Sequence, residues 1–214
     1  MTCGCGSRSR DRQSENGVDM GLSMEGRSGL VTGGASGIGR GAAIELAKEG
    51  ARLVVSDLEQ SRAGGEETVE LVRQAGADAV FVACDVRSEA DHQALVAKVL
   101  ETYGRLDFAV NNAGVLPPFT PTADTSDENW DFVLDVNLKG IFRGLRAQLP
   151  TMANQGGGAV VNTSSVAGVV AIKNLCHYTA SKHGVIGLTK AAALEYGALG
   201  IRVNCVLPNG IVPG

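Results

Sequence analysis

The sequence lacks the features that would place a protein in a membrane, on nucleic acid or around a metal ion. No apolar run approaches the ~20 residues of a membrane-crossing helix, although 44% of the 214 residues are apolar. A net charge of −4 offers no basic surface for nucleic acid. The five cysteines are scattered. Cys3 and Cys5 have no partner ligands at zinc spacing. Cys84 and Cys205 fall at strand-like positions, where cysteine reads as a small buried hydrophobe. The expectation is a protein without metal, nucleic-acid or membrane partners, in a reducing, cytoplasmic compartment.

Residues 1–23 are polar, carry Arg8, Arg10 and Arg12, and show no apolar periodicity. Asp11, Glu15 and Asp19 count against a transit sequence, and an apolar core for secretion is missing. This stretch is expected to be a disordered tail, with Met20 or Met24 as alternative starts. Residues 24–214 then form one globular α/β domain with a sizeable core.

The rest of the chain alternates two patterns. Short apolar runs predict strands at 29–32, 52–57, 79–83, 107–111, 159–163 and 202–207. Helical periodicity predicts helices at 38–49, 64–75, 88–103, 126–152 and 177–198. Ser126 to Glu128 reads as a helix start, and Gly156-Gly157-Gly158 as a stop. Continuous apolar strands between helices belong to a parallel sheet covered on both faces.

Tyr178 and Lys182 are four residues apart and so share a helix face. Ser165 precedes Tyr178 by 13 residues. A phenol titrates near ~10 and is a poor acid or base at neutral pH unless a cation favours its phenolate. With a hydroxyl to hold a substrate oxygen, this set suits proton exchange with an alcohol or carbonyl. A surface Tyr and Lys on an amphipathic helix would show the same spacing. The context decides against that plainer reading. Gly29-Leu30-Val31-Thr32 runs into Gly33-Gly34-Ala35-Ser36-Gly37-Ile38-Gly39, and a helix pattern follows. Strand, glycine loop and helix put a pyrophosphate on a helix N-terminus. Asp57 ends the second strand 18 residues after Gly39, close to the roughly 20 at which an acid meets the adenosine ribose hydroxyls.

Together these residues resemble the short-chain dehydrogenase/reductase family. The shared marks are Thr32-Gly33-x-x-x-Gly37-x-Gly39, Asp85-Val86, Asn111-Asn112-Ala113-Gly114, Asn137, Ser165 and Tyr178-x-x-x-Lys182, in family order from about Glu25 to Pro208. The glycine spacing is that of the single-domain branch.

The resemblance implies a Rossmann-type, doubly wound parallel sheet of about six strands, and hydride transfer between a nicotinamide cofactor and a secondary alcohol or ketone. Gly33, Ser36, Gly37, Ile38 and Gly39 would hold the pyrophosphate, and Asp57 and Leu58 the adenosine ribose. Asp85 and Val86 would meet the adenine, although Asp85 can also precede or cap the next helix. Asn112, Ala113 and Gly114 would pass beneath the cofactor, and Pro208 and Ile211 would close on it. Tyr178 would be the acid/base. Lys182 would lower its pKa and hold the nicotinamide ribose. Ser165 would hold the substrate oxygen, with Ser164 as the alternative. Asn137, flanked by Val136 and Leu138, would sit at a helix distortion holding a water linked to the lysine. His177 and His183 receive no role; His177 is expected as a solvated surface side chain, with a place facing the substrate as the alternative.

NAD is favoured over NADP because Ala35 and Leu58 stand where NADP-using relatives carry a cation, and Glu59 follows. Val115, Leu116, Pro117, Pro118, Val166 and Ala167 imply an apolar pocket for an alicyclic or lipid-like ketone. Family members commonly form dimers or tetramers through the helices at about 126–152 and 177–198. Near the end of the chain, Asn209 and Pro213 replace the family's usual Gly and Thr. The family's substrate lid and seventh strand are not in the sequence. A non-catalytic dinucleotide-binding protein or truncated isoform, acting through subunit association, is therefore the competing expectation.

Overall fold

The computed structural model describes residues 23–209. The predicted tail and Ile211 therefore lie outside the described residues, apart from Ser23. The six apolar runs form β1 (Ser28–Thr32), β2 (Arg52–Asp57), β3 (Ala79–Ala83), β4 (Phe108–Asn111), β5 (Gly158–Thr163) and β6 (Ile201–Val206). They make one sheet in the order β3-β2-β1-β4-β5-β6, with every neighbouring pair parallel. The winding reverses between β1 and β4, which opens a crevice at the C-terminal ends of these strands.

Helices α1 (Gly37–Lys48) and α2 (Arg62–Gln74) cover one face. Helices α3 (Glu89–Tyr103), α5 (Gly140–Asn154) and α6 (Cys176–Tyr196) cover the other. The strands alternate between these layers. Val31, Leu53 and Val55 pack with Ala43, Ala47, Val69 and Val72, whereas Leu30 and Val54 pack with Leu95, Val99, Leu145 and Val185. Both faces being buried is why the strands read as unbroken apolar runs. Among the described residues no helix is long and apolar enough to cross a membrane.

The helix pattern expected over 126–152 is two helices, with the distortion expected at Asn137 between them. Ser126 caps α4 (Asp127–Leu134) by accepting the Asn129 N–H, a π turn spans Asp135–Lys139, and α5 follows. A hydrophobic pattern cannot reveal one inserted residue when both flanking helices bury the same stripe. The stop after α5 uses Gly156 at φ 85° and Gly157 at φ 145°. At α3 the cap is Ser88, which accepts the Asp91 N–H. Asp85 therefore precedes that helix without capping it. Cys84 is buried as expected but follows β3, and Cys205 in β6 is only half-buried.

A buried polar ladder crosses the centre of this fold. The amides of Asn111 and Gln148 pair reciprocally, with Asn111 Nδ2 to Gln148 Oε1 at 3.1 Å and Gln148 Nε2 to Asn111 Oδ1 at 2.8 Å. Asn111 Nδ2 also donates to Asn162 Oδ1 at 3.0 Å, and Asn162 Nδ2 to Thr189 Oγ1 at 3.0 Å. α5, β4, β5 and α6 are thus tied together directly beneath the crevice.

Candidate functional site

The crevice is a cavity of about 740 Å³ running along the C-terminal ends of the strands, from Asp57 and Leu58 past Gly114 to Tyr178. Its first wall is the turn between β1 and α1. Gly33 takes φ +65°, and a Cβ on Gly39 would collide with the Gly33 carbonyl. The loop thus closes tightly on itself and lets backbone approach a ligand. Ser36 precedes α1 without capping it, and the first turn carries no acidic side chain. The free N–H groups and the positive helix end are left for an anion.

Asp57 forms the outer end. Its Oδ2 accepts the Ala35 N–H at 3.0 Å and its Oδ1 the Leu58 N–H at 2.8 Å. Each carboxylate oxygen keeps a further acceptor site, which matches a vicinal diol. Asp85 lies on the adjoining wall with Arg87 across it, Nε contacting both carboxylate oxygens at 3.0 Å. This charge-assisted pair, with the Arg87 N–H, holds the Asp85 carboxyl below the usual carboxylate range.

The floor is made where β4 and β5 end. Asn112 donates to the Thr32 and Gly33 carbonyls, both at 3.2 Å, and its Oδ1 accepts from Thr163 Oγ1 at 3.3 Å. The glycine loop, β4 and β5 are held in one frame. A Cβ on Gly114 would come within 3.1 Å of Asn137 Oδ1 and 3.6 Å of Lys182 Nζ, so glycine leaves room for both groups.

At the inner end, α6 presents Tyr178 and Lys182 to the cavity. Lys182 Nζ donates to the Thr163 carbonyl at 2.9 Å and lies 5.6 Å from the centre of the Tyr178 ring. Burial lowers its pKa from 10.5 to about 8, because the interior penalises the ammonium. The two serines are separated by their bonds. Ser164 Oγ donates to the Lys182 carbonyl at 2.9 Å, so its proton is committed. Ser165 Oγ accepts the Ala167 N–H at 3.2 Å, and among the described residues its proton goes to no protein group.

Of the residues expected to hold the cofactor or carry the chemistry, fifteen line this cavity: Gly33, Ser36, Gly37, Ile38, Asp57, Leu58, Asp85, Val86, Asn112, Ala113, Gly114, Ser165, Tyr178, Lys182 and Pro208, and the alternative Ser164 lines it too. Gly39 acts one layer back through loop packing. Asn137 is fully buried in the π turn and bonds the backbone of Val115 and the hydroxyl of Ser181. His177 corrects the expectation of a solvated side chain, being 1% exposed. It begins the inward stripe of α6 that continues through Ser181 and Val185. His183 is exposed, its Nδ1 3.0 Å from the Thr179 carbonyl.

Thr163, Arg87 and Phe119 also line the cavity and were not among the residues expected from sequence. Thr163 serves Lys182 through a backbone carbonyl, which no side-chain pattern announces. Arg87 stands two residues after Asp85, a spacing that did signal a pair. Phe119, 63% exposed at the cavity mouth, reaches the site through a loop with no periodicity. Among the described residues no group of three His, Cys, Asp or Glu side chains is arranged to hold a metal.

The geometry has clear counterparts among known proteins. The short chain dehydrogenase profile matches residues 28–213. The chain is 42% identical over 182 residues to a cyclohexanol dehydrogenase of Acinetobacter sp. (strain SE19), covering 85% of this chain and 72% of that one. It is 41% identical to the levodione reductase of Leifsonia aquatica, covering 85% and 68% respectively. The crystal structure of an NAD+-bound xylitol dehydrogenase superposes with a TM-score of 0.86 at 36% identity, covering 90% of this chain and 73% of that one.

Proposed function

The chain belongs to the short chain dehydrogenase family, and from that premise we propose that it is an NAD(H)-dependent oxidoreductase interconverting a secondary alcohol and a ketone. The observation that carries the reading is one cavity with Asp57 at its outer end and Ser165, Tyr178 and Lys182 at its inner end. The residues fit a nicotinamide dinucleotide. The uncapped start of α1 suits a pyrophosphate, and the two free acceptor sites on Asp57 suit an adenosine ribose. When bound, the cofactor accepts or supplies the hydride at the substrate carbon.

The chain's own residues handle the proton and the geometry. Ser165 keeps its proton and donates a hydrogen bond from its hydroxyl to the substrate oxygen, which sets that oxygen's position. Tyr178 takes the alcohol proton during oxidation and returns it during reduction. Lys182, in its protonated form, sets a cation 5.6 Å from the centre of the Tyr178 ring, beside the acid/base. Asn137 holds the loop at Val115, and with it Gly114, against the floor.

NAD is favoured over NADP because Asp57 would meet a 2′-phosphate with like charge, and Ala35 and Leu58 offer no cation. Arg62, the first cation after Leu58, is bound by Glu59 at 2.7 Å and Glu66 at 3.4 Å. The inner end of the cavity is walled by Leu116, Phe119, Val166, Ile172 and Leu175, and among the described residues Lys182 is its only charged side chain. A neutral, apolar ketone suits that wall. Two of the relatives are named for the alicyclic compounds cyclohexanol and levodione, which supports an alicyclic substrate. Oligomerisation through α4, α5 and α6 also belongs to this proposal. Phe132, Phe142 and Leu194 are exposed on those helices, Leu194 at 86%.

The test is NADH oxidation by the purified 214-residue chain with cyclic and open-chain ketones, beside Tyr178→Phe. Turnover of cyclic ketones by the parent is expected, with a loss on the order of 10²–10⁴ in the variant. Equal rates in both proteins would remove Tyr178 from the chemistry. NADH binding with no turnover on any substrate would favour the non-catalytic reading.

A further inference from the structure

We infer that Arg40 is a positioning residue for dinucleotide recognition, acting through Ala35 on Asp57; the inference rests on the cofactor reading above. Arg40 is the fourth residue of α1. A cation in the first turn of a helix faces the positive end of the macrodipole, an unfavourable place. Its side chain does not line the cavity, so it is not there to touch phosphate. Its contacts explain the placement. Nη2 donates to the Ala35 carbonyl at 2.7 Å, to the Gly64 carbonyl at 3.2 Å and to Glu67 Oε2 at 2.7 Å, and Nε donates to Thr68 Oγ1 at 3.0 Å. Glu67 offsets the charge, and one guanidinium fork joins the glycine loop to α2.

Ala35 is thereby held at both of its backbone groups. Arg40 takes its carbonyl, and Asp57 Oδ2 takes its N–H at 3.0 Å. The second oxygen of Asp57 is held by the Leu58 N–H. The Ala35 N–H therefore sets which way the carboxylate faces, and Arg40 sets where that N–H sits. α2 presses on the same point, since a Cβ on Gly64 would lie 2.8 Å from the Ala35 carbonyl oxygen. Without the clamp the loop can relax from Asp57. The carboxylate then loses its fixed aim at a ribose diol, and the barrier to a 2′-phosphate weakens with it.

The experiment is fluorescence titration of the parent and of Arg40→Met with NADH and with NADPH, beside thermal melting. Arg40→Met keeps the alkyl stem and removes every donor. NADH affinity should fall about tenfold and the NADH-over-NADPH preference should shrink several-fold, since charge-assisted bonds to the loop are lost. A purely structural role would lower the melting temperature and leave the preference unchanged. If Arg40→Met does not fold, Glu67→Gln, at an exposed carboxylate, should move the preference the same way by about two- to threefold. Folded Arg40→Met, or Glu67→Gln in its place, with the parent's preference overturns the clamp alone. A parent that binds neither nucleotide overturns the cofactor reading and the clamp together.

Discussion

The side-chain amide of Asn137 closes on both backbone groups of Val115, accepting its N–H at 2.7 Å and donating to its carbonyl at 2.9 Å. The pair joins the π turn to the loop that leaves β4, where Gly114 and Val115 line the cavity. An amide side chain matches a peptide group's donor and acceptor, and no apolar residue can. Asn137→Leu should therefore destabilise the protein by about 2–3 kcal/mol, because a buried N–H and carbonyl lose their partners together. The urea midpoint of the variant measures this. A midpoint within error of the parent's would show that the loop finds other partners.

Lys182 is placed for chemistry at a cost to stability. Its pKa is held at about 8, below the 10.5 of an exposed lysine. Between these values the unfolded chain binds the proton and the native chain does not, so this group's stability contribution rises with pH across that window. Below about 8 the native protein carries a buried cation at a constant penalty. Lys182→Met removes the charge and should stabilise the protein at pH 7 by about 1–3 kcal/mol while abolishing activity. The gap between variant and parent should close as pH rises from about 8 to 10.5. Urea titrations of both proteins at three pH values test the sign, and a variant less stable at pH 7 would reverse it.

Asp57→Ala should weaken NADH binding about tenfold, as charge-assisted acceptors for two hydroxyls are lost. NADPH binding should change less, because the same substitution removes a repelling charge. Ratios of kcat/KM for NAD and NADP report the preference. A parent that already prefers NADP would refute the role given to Asp57.

The Asn111–Gln148 pair should be worth more than its surface neighbours. Gln148→Leu leaves the Asn111 oxygen buried without its donor and should cost about 1–3 kcal/mol. Gln148→Glu also buries a carboxyl whose pKa burial raises, so its stability should fall further as pH rises through that raised value. Denaturation of both variants at pH 5 and 8 separates the two effects. Equal losses at both pH values would argue that the carboxyl reaches solvent.

The strands and the ends of most helices were legible in the sequence because each rests on a local signal. A strand buried on both faces must be apolar throughout, as Leu30 and Val31 show by serving opposite cores. Ser126 and the glycines after Asn154 mark helix ends by capping chemistry that acts within a few residues. Tyr178 and Lys182 share a face by helix geometry alone, and Gly33 to Gly39 announce a tight turn because only glycine tolerates it. The tertiary structure decided the rest, wherever a residue's role depends on a partner far along the chain. The π turn exists where Asn137 meets Val115, 22 residues away. Ser164 and Ser165 look alike until the Lys182 carbonyl accepts a hydrogen bond from Ser164. His177 is buried by its place on the inward stripe of α6. Arg40 reads as an ordinary polar helix residue until Gly64 and Thr68 arrive beside it. Periodicity reports which side of an element is apolar, whereas hydrogen-bond partners across elements are set only when the sheet has wound and the layers have closed.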